Sequence, residues 1–260
     1  MAILGIDVSG SWQGQPDWTR VAAAGTLFAF AKATEGMTFT DGSFAYNWQG
    51  IKAAGLVRGA YHLARPSNNT AESEADHFLA QVNAAGGLQT GDLVALDVED
   101  TNTTENLHDW TLAWLQRVEA QIGFKPLFYS GTWYMDPHGL SGVDDLAAYP
   151  LWFSSYNNQF DNVPAAPPNW TQILIHQYTE QGTVDGIEAK VDLDCFTGDT
   201  VDELAPYGCP SAMYTVQPGD TWDSIADAYG ISVEDLQAAN PIIIELEPGI
   251  TLVIPTSVIA

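Results

Sequence analysis

Apolar and polar positions along the chain fall into two alternating rhythms. Short runs rich in Val, Ile, Leu and Phe recur as "AILGIDVS", "LFAFAKATEG", "LVRGAYHLAR", "DLVALDVED", "PLFYSG", "PLWFSSYN", "ILIHQY" and "AKVDLDCF", and each reads as a strand that ends in polar or aromatic residues. Between the earlier runs lie stretches with helical spacing, notably "TAESEADHFLAQVNAAG" and "TENLHDWTLAWLQRVEAQIG", each closed by a glycine suited to a helix C-terminus. Strand followed by helix, repeated, predicts a parallel sheet in the α/β class. Eight such strands predict closure into a barrel, with functional side chains gathered at the carboxyl ends of the strands. The later connections are less helical, which argues against a full eightfold alternation.

The alternation also sorts the acids. In "VALDVEDT" the side chains of Val94, Leu96 and Val98 share one face, while Leu93, Ala95, Asp97 and Glu99 share the other. Asp97 and Glu99 therefore emerge side by side at a strand end, about 7 Å apart along the backbone at a rise of roughly 3.3 Å per residue. Two like charges so close raise the proton affinity of at least one, a common preparation for proton transfer. In the first strand Asp7 opposes Leu4, Ile6 and Val8, and in the last Asp192 and Asp194 oppose Val191 and Leu193. Acids from separate strands are thus expected to converge, with Asp194 assigned instead to a structural role as a helix cap or salt-bridge partner.

Composition narrows the field. The chain has 260 residues, 46% of them hydrophobic, enough for one large domain and a small one. A formal charge of -25, from 33 acidic against 8 basic residues, argues against nucleic acid and against anionic membrane surfaces. Nine Trp and ten Tyr suit a core and also suit the flat faces of neutral sugars. The opening "MAILGIDVSG" shows neither a basic leader nor a long apolar stretch, so the expectation is a protein without a signal peptide or a membrane span. His62 and His176 stand outside any metal-ligand spacing, and no metal or other cofactor is expected. The two cysteines, Cys195 and Cys209, are near enough in sequence to permit a disulfide.

After Cys209 the character changes. Residues 211–260 hold seven acids and no Lys or Arg. "YTVQPGDTWDSIADAYGISVEDLQAANP" and "LEPGITLVIP" read as strand, helix, helix, strand, a small α+β unit. The first helix is expected to open near Asp220 and stop at Gly230. Ser232 is expected to cap the second, with Asp235 in the place of a capping-box Glu and Ile231 and Leu236 as a hydrophobic staple. The predicted organisation is a barrel over 1–209, a linker at 210–212, the small module over 213–256 and a tail at 257–260.

The stretches "GIDVSGSWQG", "FAKATEG", "GAYHLARP", "ALDVED", "LFYSG", "LWFSSYN" and "HQYTEQGTVDGIEAKVDLD" occur here in an order and spacing that resemble glycoside hydrolase family 25, the N-acetylmuramidase lysozymes. The resemblance implies a modified TIM-like barrel with fewer than eight helices. It also implies hydrolysis of the β-1,4 bond between N-acetylmuramic acid and N-acetylglucosamine in peptidoglycan. By the same resemblance Glu99 is the general acid, with a pKa raised by burial and by Asp97. Asp97 stays ionised, as nucleophile or as the carboxylate that orients the substrate's acetamido group. Asp7 and Asp192 complete the acidic floor, and Tyr61, Tyr129, Trp152 and Tyr178 contact sugar. The C-terminal segment resembles a LysM module, which implies binding of N-acetylglucosamine-containing polymers between the loop at Gly219, Asp220, Thr221 and Trp222 and the loop at Asn240, Pro241, Ile242 and Ile243.

The resulting expectation is a monomeric phage endolysin, held in the host cytoplasm until release and acting on the wall. A bacterial autolysin is an alternative. So is a noncatalytic lectin, against which the four intact acids speak. A chitinase is a third, but its motif carries further aspartates where this chain has Leu93 and Ala95. An acidic protein approaching an anionic wall is repelled at long range, so lysis is expected to improve with moderate salt.

Overall fold

All eight period-two runs become strands. The computed structural model describes residues 3–210, 212–240 and 243–254. In chain order the elements are β1 (Ile3–Val8), α1 (Trp18–Ala23), β2 (Phe28–Glu35), the two-residue β3 (Phe39–Thr40), α2 (Phe44–Ala53), β4 (Val57–Leu63), α3 (Ala71–Ala84), β5 (Leu93–Asp97), α4 (Leu107–Ile122), β6 (Leu127–Ser130), the single turn α5 (Thr132–Met135), β7 (Leu151–Ser154), β8 (Ile175–Gly182) and β9 (Val191–Phe196). Hydrogen bonding passes from β1 through β2, β4, β5, β6, β7, β8 and β9 back to β1, which closes an eight-stranded barrel with fewer than eight helices; β3 only hooks onto β2.

Seven of these strands run parallel, but β9 is antiparallel to both β8 and β1. This corrects the expectation of a wholly parallel sheet. A parallel return needs a crossover of a dozen or more residues, and residues 183–190 are too few to supply one. The reversal brings Asp192 opposite Asp7 and puts Asp194 opposite Gly5, one layer deeper.

Two apolar layers follow from the alternation. Phe28, Phe30, Leu93, Ala95, Leu127 and Trp152 point into the barrel. Ile6, Val8, Ala29, Ala31, Val94, Leu96, Val98 and Phe128 point outward against helix residues such as Trp48, Phe78, Trp114 and Val118. Large rings inside a narrow barrel need small neighbours. A Cβ on Gly5 would lie 2.1 Å from the Phe28 ring and one on Gly59 would lie 2.2 Å from the Phe30 ring, so both strands carry glycine where a ring crosses them.

Helix ends follow local chemistry. Thr70 caps α3 by accepting from the Ser73 amide at 3.2 Å, and Gly123 ends α4 at φ +79°. Between α2 and β5 a buried ion pair fastens the wall. Arg58 donates through Nε and Nη2 to Asp92 at 2.9 and 2.7 Å, donates through Nη1 to the Trp48 carbonyl at 3.1 Å, and lies 3.8 Å from the Trp48 ring centre. His62 and His176 sit on the outer side of the barrel. His62 bridges Thr34 at 2.7 Å and Glu74 at 2.8 Å, and His176 Nε2 meets the Ser155 carbonyl at 2.9 Å. Among the described residues no group of three or more potential ligands is arranged to hold a metal.

No disulfide joins Cys195 and Cys209, both of which are buried. Cys195 belongs to β9. The backbone of Cys209 is bound to Gly91 and Asp92 at the entry to β5, at 2.9 and 2.8 Å. Strands β5 and β9 lie on opposite sides of the ring, so nearness in sequence does not become nearness in space.

The C-terminal module has β10 (Ala212–Thr215) paired antiparallel with β11 (Thr251–Ile254), and between them α6 (Trp222–Tyr229) and α7 (Val233–Ala238). Val216, Ile225, Leu236, Leu252 and Ile254 form its core. The first helix opens at Trp222, two residues later than predicted, because Thr221 is its cap: the Thr221 Oγ1 accepts from the Ser224 amide at 3.0 Å. Gly230 ends it at φ +64°. Ser232 caps the second helix, accepting from the Asp235 amide at 3.0 Å, while its hydroxyl donates to the Asp235 carboxylate at 2.7 Å.

Candidate active site

The carboxyl ends of the parallel strands surround a cleft of about 480 Å³. Alternation in β5 sends Asp97 into it, and Glu99 follows two residues later on the same side. Glu99 lies beyond the last ladder residue, yet its neighbours are pinned. The Val98 amide donates to the Tyr129 carbonyl at 3.1 Å, the Val98 carbonyl accepts from Ser130 at 2.8 Å, and the Asp100 carbonyl accepts from the Tyr134 hydroxyl at 2.8 Å. Asp100 itself is buried and structural. Its carboxylate accepts from the Asn102 amide at 3.0 Å and pairs with Arg65 at 2.9 Å.

Asp7 of β1 and Asp192 of β9 face the same cleft. Asp194 lies beneath them, fully buried, accepting from Trp152 Nε1 at 2.8 Å. It is neither a helix cap nor a salt-bridge partner, which corrects the role expected for it. Trp152 is the hub of the floor. Its ring stacks on Phe30 at 4.4 Å and meets Tyr129 and Tyr61 edge-on at 4.9 and 6.3 Å. Tyr61, Tyr129 and Trp152 all border the cleft. Tyr178 does not: β8 turns Gln177 inward and Tyr178 outward, where its ring meets Phe160 at 5.7 Å.

Sequence reasoning missed several groups that the structure brings to the cleft. Gln177 is the most connected. Its Nε2 donates to Asp7 at 2.7 Å, and its Oε1 accepts from the hydroxyls of Tyr129 at 2.8 Å and Tyr156 at 3.0 Å. Two hydroxyl donors fix the carbonyl end and leave the amide end facing the acid. Lys32 pairs with Glu35 at 2.6 Å, and Glu35 in turn accepts from Arg65 at 2.7 Å. A polar residue at an inward position of an apolar strand was the available signal for both Gln177 and Lys32. Trp12 stands at the mouth, 79% exposed, on a loop held by Gln13, which bonds the Ser9 amide at 2.9 Å and the Lys190 carbonyl at 2.8 Å.

Electrostatics follow from crowding acids in a dry floor. Burial first, then Asp192 and Asp194, push Asp7 well above the usual carboxylate range. Asp192 is pushed up to about 6 by burial and by Glu180 and Glu99. Burial and then the Glu99 charge push Asp97 well up. Glu99 is raised by burial, against the pull of Lys32 and Arg65. Asp97 is the deeper of the two and lies farther into low dielectric. One Asp97 oxygen, Oδ1, is buried with no hydrogen-bond partner.

In the small module Gly219 adopts φ +95°, and Asp220 accepts from the Gln217 amide and the Tyr214 hydroxyl, both at 2.7 Å. Thr221 is a cap, and half-buried Trp222 packs against the core, as does Ile243. The Asn240 side chain is committed within the fold: its amide donates to the Leu236 and Val253 carbonyls at 2.8 and 2.7 Å, and its carbonyl accepts from the Val253 amide at 2.9 Å. Pro241 and Ile242 lie outside the described residues.

Comparison with known proteins agrees with this geometry. The family model for glycosyl hydrolases family 25 matches residues 6–187, and that for the LysM domain matches residues 214–255. Lysozyme M1 of Streptomyces globisporus is 31% identical over 214 residues, covering 78% of this chain and 70% of that protein. The crystal structure of a bacterial lysozyme from Streptomyces coelicolor superposes with a TM-score of 0.71 at 27% identity, covering 80% of this chain and 97% of that one. The CTP1L endolysin superposes with a TM-score of 0.65 at 26% identity, covering 92% and 80%. A closed barrel with one reversed strand, an acid-lined cleft at its rim and these matches have one reading: the chain belongs to glycosyl hydrolases family 25 and carries a LysM domain behind its barrel.

Proposed function

We propose that this protein hydrolyses the β-1,4 bond between N-acetylmuramic acid and N-acetylglucosamine in peptidoglycan, with Glu99 as general acid. The observation that carries the reading is the placement of Asp97 and Glu99 on one side of β5, at an open cleft floored by Trp152 and walled by Asp7 and Asp192. Glu99 is the shallower carboxyl of the pair and can reach a glycosidic oxygen in the cleft. Asp97 borders the cleft, where its carboxylate can accept an acetamido N–H or attack the sugar carbon. A donor arriving from the substrate favours the charged form of Asp97, and Glu99, raised by burial, holds the proton that the leaving group needs. Asp7 and Asp192 then face the positive charge that develops on the sugar.

Likeness to an endolysin supports a finer reading: a lytic enzyme of phage origin, released onto the host wall, whose LysM domain holds it on N-acetylglucosamine-containing strands. A weak binder joined to the cleft raises local concentration on an insoluble polymer.

The test is digestion of purified peptidoglycan by the intact protein and by Glu99→Gln, followed by borohydride reduction and mass spectrometry. Reduced muramic acid ends from the wild type alone are expected. Reduced glucosamine ends would overturn the bond assignment, and binding without cleavage would favour a lectin. A covalent glycosyl adduct on Asp97 after acid quench would assign direct attack over acetamido participation.

A further inference from the structure

Trp12 is a large apolar side chain that the fold leaves in water, 79% exposed, although it borders the cleft. Single exposed hydrophobic residues are ordinary on protein surfaces. What sets Trp12 apart is the loop that carries it, which is fastened along its whole length. Buried Asp41 accepts from the Gly10 amide at 2.7 Å and from the Ser43 amide at 2.8 Å. The Ser9 carbonyl accepts from the amides of Trp12, Gln13 and Gly14 at 3.2, 2.9 and 3.2 Å. Gln13 ties the turn to the Lys190 carbonyl at 2.8 Å, and buried Asn47 donates to the Gly14 carbonyl at 3.1 Å. The backbone therefore holds the indole at the mouth instead of letting the loop fold it away.

Position around the ring separates Trp12 from the reacting bond. It follows β1, which stands three strands from β5 by way of β2 and β4, roughly 14 Å along the wall at 4.7–4.9 Å per strand. Glu99 and Trp12 thus cannot contact the same glycosidic bond. Between them the cleft offers mainly carboxyl, amide and hydroxyl groups, whereas the indole offers a flat uncharged face and one N–H donor. That chemistry suits the C–H face of a neutral pyranose ring. A platform already held in place also spends little ordering entropy on binding.

We propose that Trp12 is the platform of an outlying sugar site, stacking on a pyranose ring of the bound glycan strand away from the cleaved bond, and that it makes the enzyme favour long strands over short fragments. The inference rests on the muramidase reading for its substrate class. Two substrates test it: soluble uncross-linked glycan strands, and the tetrasaccharide that places two sugars on each side of its central bond.

Trp12→Ala is expected to raise KM on long strands about tenfold, with kcat within about twofold of wild type. On the tetrasaccharide its kcat/KM should stay within about twofold, and its urea midpoint should match wild type because the side chain is exposed. Trp12→Tyr keeps a flat ring and should stay within about threefold on long strands. Equal losses on both substrates, no loss on either, or Trp12→Tyr as impaired as Trp12→Ala would overturn the proposal. A second readout needs no turnover. In Glu99→Gln, titration with long strands should shift tryptophan emission to the blue, and Glu99→Gln/Trp12→Phe, whose LysM domain is unchanged, should lose part of that shift; identical shifts would also overturn it. Wild-type protein that cleaves no glycan, with the Trp12-dependent shift intact, would remove the muramidase reading and leave the sugar site standing.

Discussion

Replacing Gln177 by Leu tests the chain of hydrogen bonds that orients Asp7. Leucine has a similar volume and no polar atoms. The substitution removes a 2.7 Å donor to Asp7 and the acceptor shared by Tyr129 and Tyr156. The consequences separate. The Tyr129 hydroxyl is buried and would be left without its acceptor, a cost of about 1–3 kcal/mol in stability. Tyr156 is 47% exposed, so its hydroxyl can turn to water. Asp7, already pushed up by burial, answers the loss of its donor by holding a proton more firmly, which limits the cost to the fold and removes an anion from the cleft. A hydrogen bond to a charged group contributes roughly 1.5–3 kcal/mol, equivalent to about ten- to a hundredfold in rate.

The expected outcome is therefore a loss of about ten- to a hundredfold in kcat/KM on purified peptidoglycan, with stability against urea reduced by about 1–3 kcal/mol. Gln177→Glu sharpens the test. Its carboxyl can accept from both tyrosines, but it can donate to Asp7 only while protonated. Its activity should persist at acid pH and fall as pH rises, whereas Gln177→Leu is impaired throughout. A Gln177→Leu enzyme within threefold of wild type would show that the orientation of Asp7 does not matter to the reaction.

Three further outcomes follow from the structure. Arg58→Met leaves buried Asp92 with only the Gln89 amide at 2.6 Å and the longer Lys52 contact at 3.5 Å, and should cost about 3 kcal/mol in urea unfolding, with much of it recovered in Arg58→Met/Asp92→Leu; a loss below about 1 kcal/mol would contradict the burial argument. Stability should decline from mildly acidic to alkaline pH. Asp7, Asp97, Glu99, Asp192 and Asp194 all have raised folded pKa values, so their contribution is present below the unfolded carboxylate range and is lost as pH rises through the folded values, about 6 for Asp192. His62 and His176, held down by burial, act in the opposite sense only below the ordinary histidine range, and a melting temperature that climbs steadily from pH 5 to 8 would refute the raised carboxyl values. Tyr178→Phe should leave kcat and KM within about twofold of wild type, because the hydroxyl faces away from the cleft, and a large rise in KM would restore Tyr178 to the sugar-contacting set.

Much of the barrel is legible in local pattern because alternation and barrel geometry impose the same constraint. Leu93 and Ala95 point inward and Val94, Leu96 and Val98 outward, as the period of two requires, and this alone delivers Asp97 and Glu99 to one side. The same rule, applied strictly to "IHQY", turns Gln177 inward with Ile175 and Tyr178 away. The aromatic expectation for Tyr178 set that rule aside, and the structure restores it. Long-range partners leave a weaker trace. Glu35, which pairs with Arg65, follows a bulge in β2 between Lys32 and Thr34. A one-residue bulge shifts every later side chain to the other face. Cys195 and Cys209 fail for a related reason, since separation along the chain says nothing about position around a ring.

Strand direction is the property that local pattern does not carry, and here it decides the chemistry. "VDLD" places Asp192 and Asp194 on one face whichever way the strand runs. Were β9 parallel to its neighbours, Asp194 would approach the cleft and Asp192 would lie beneath it. Because residues 183–190 are too short to cross the barrel, β9 returns antiparallel, and the order inverts: Asp192 reaches the rim beside Asp7, and Asp194 drops to the level of Gly5. Gly5 carries no side chain and leaves the barrel interior there to the aromatic rings and to this one acid. One reversed strand thus separates two neighbouring aspartates into an acid that can face substrate and an acid shut off from water.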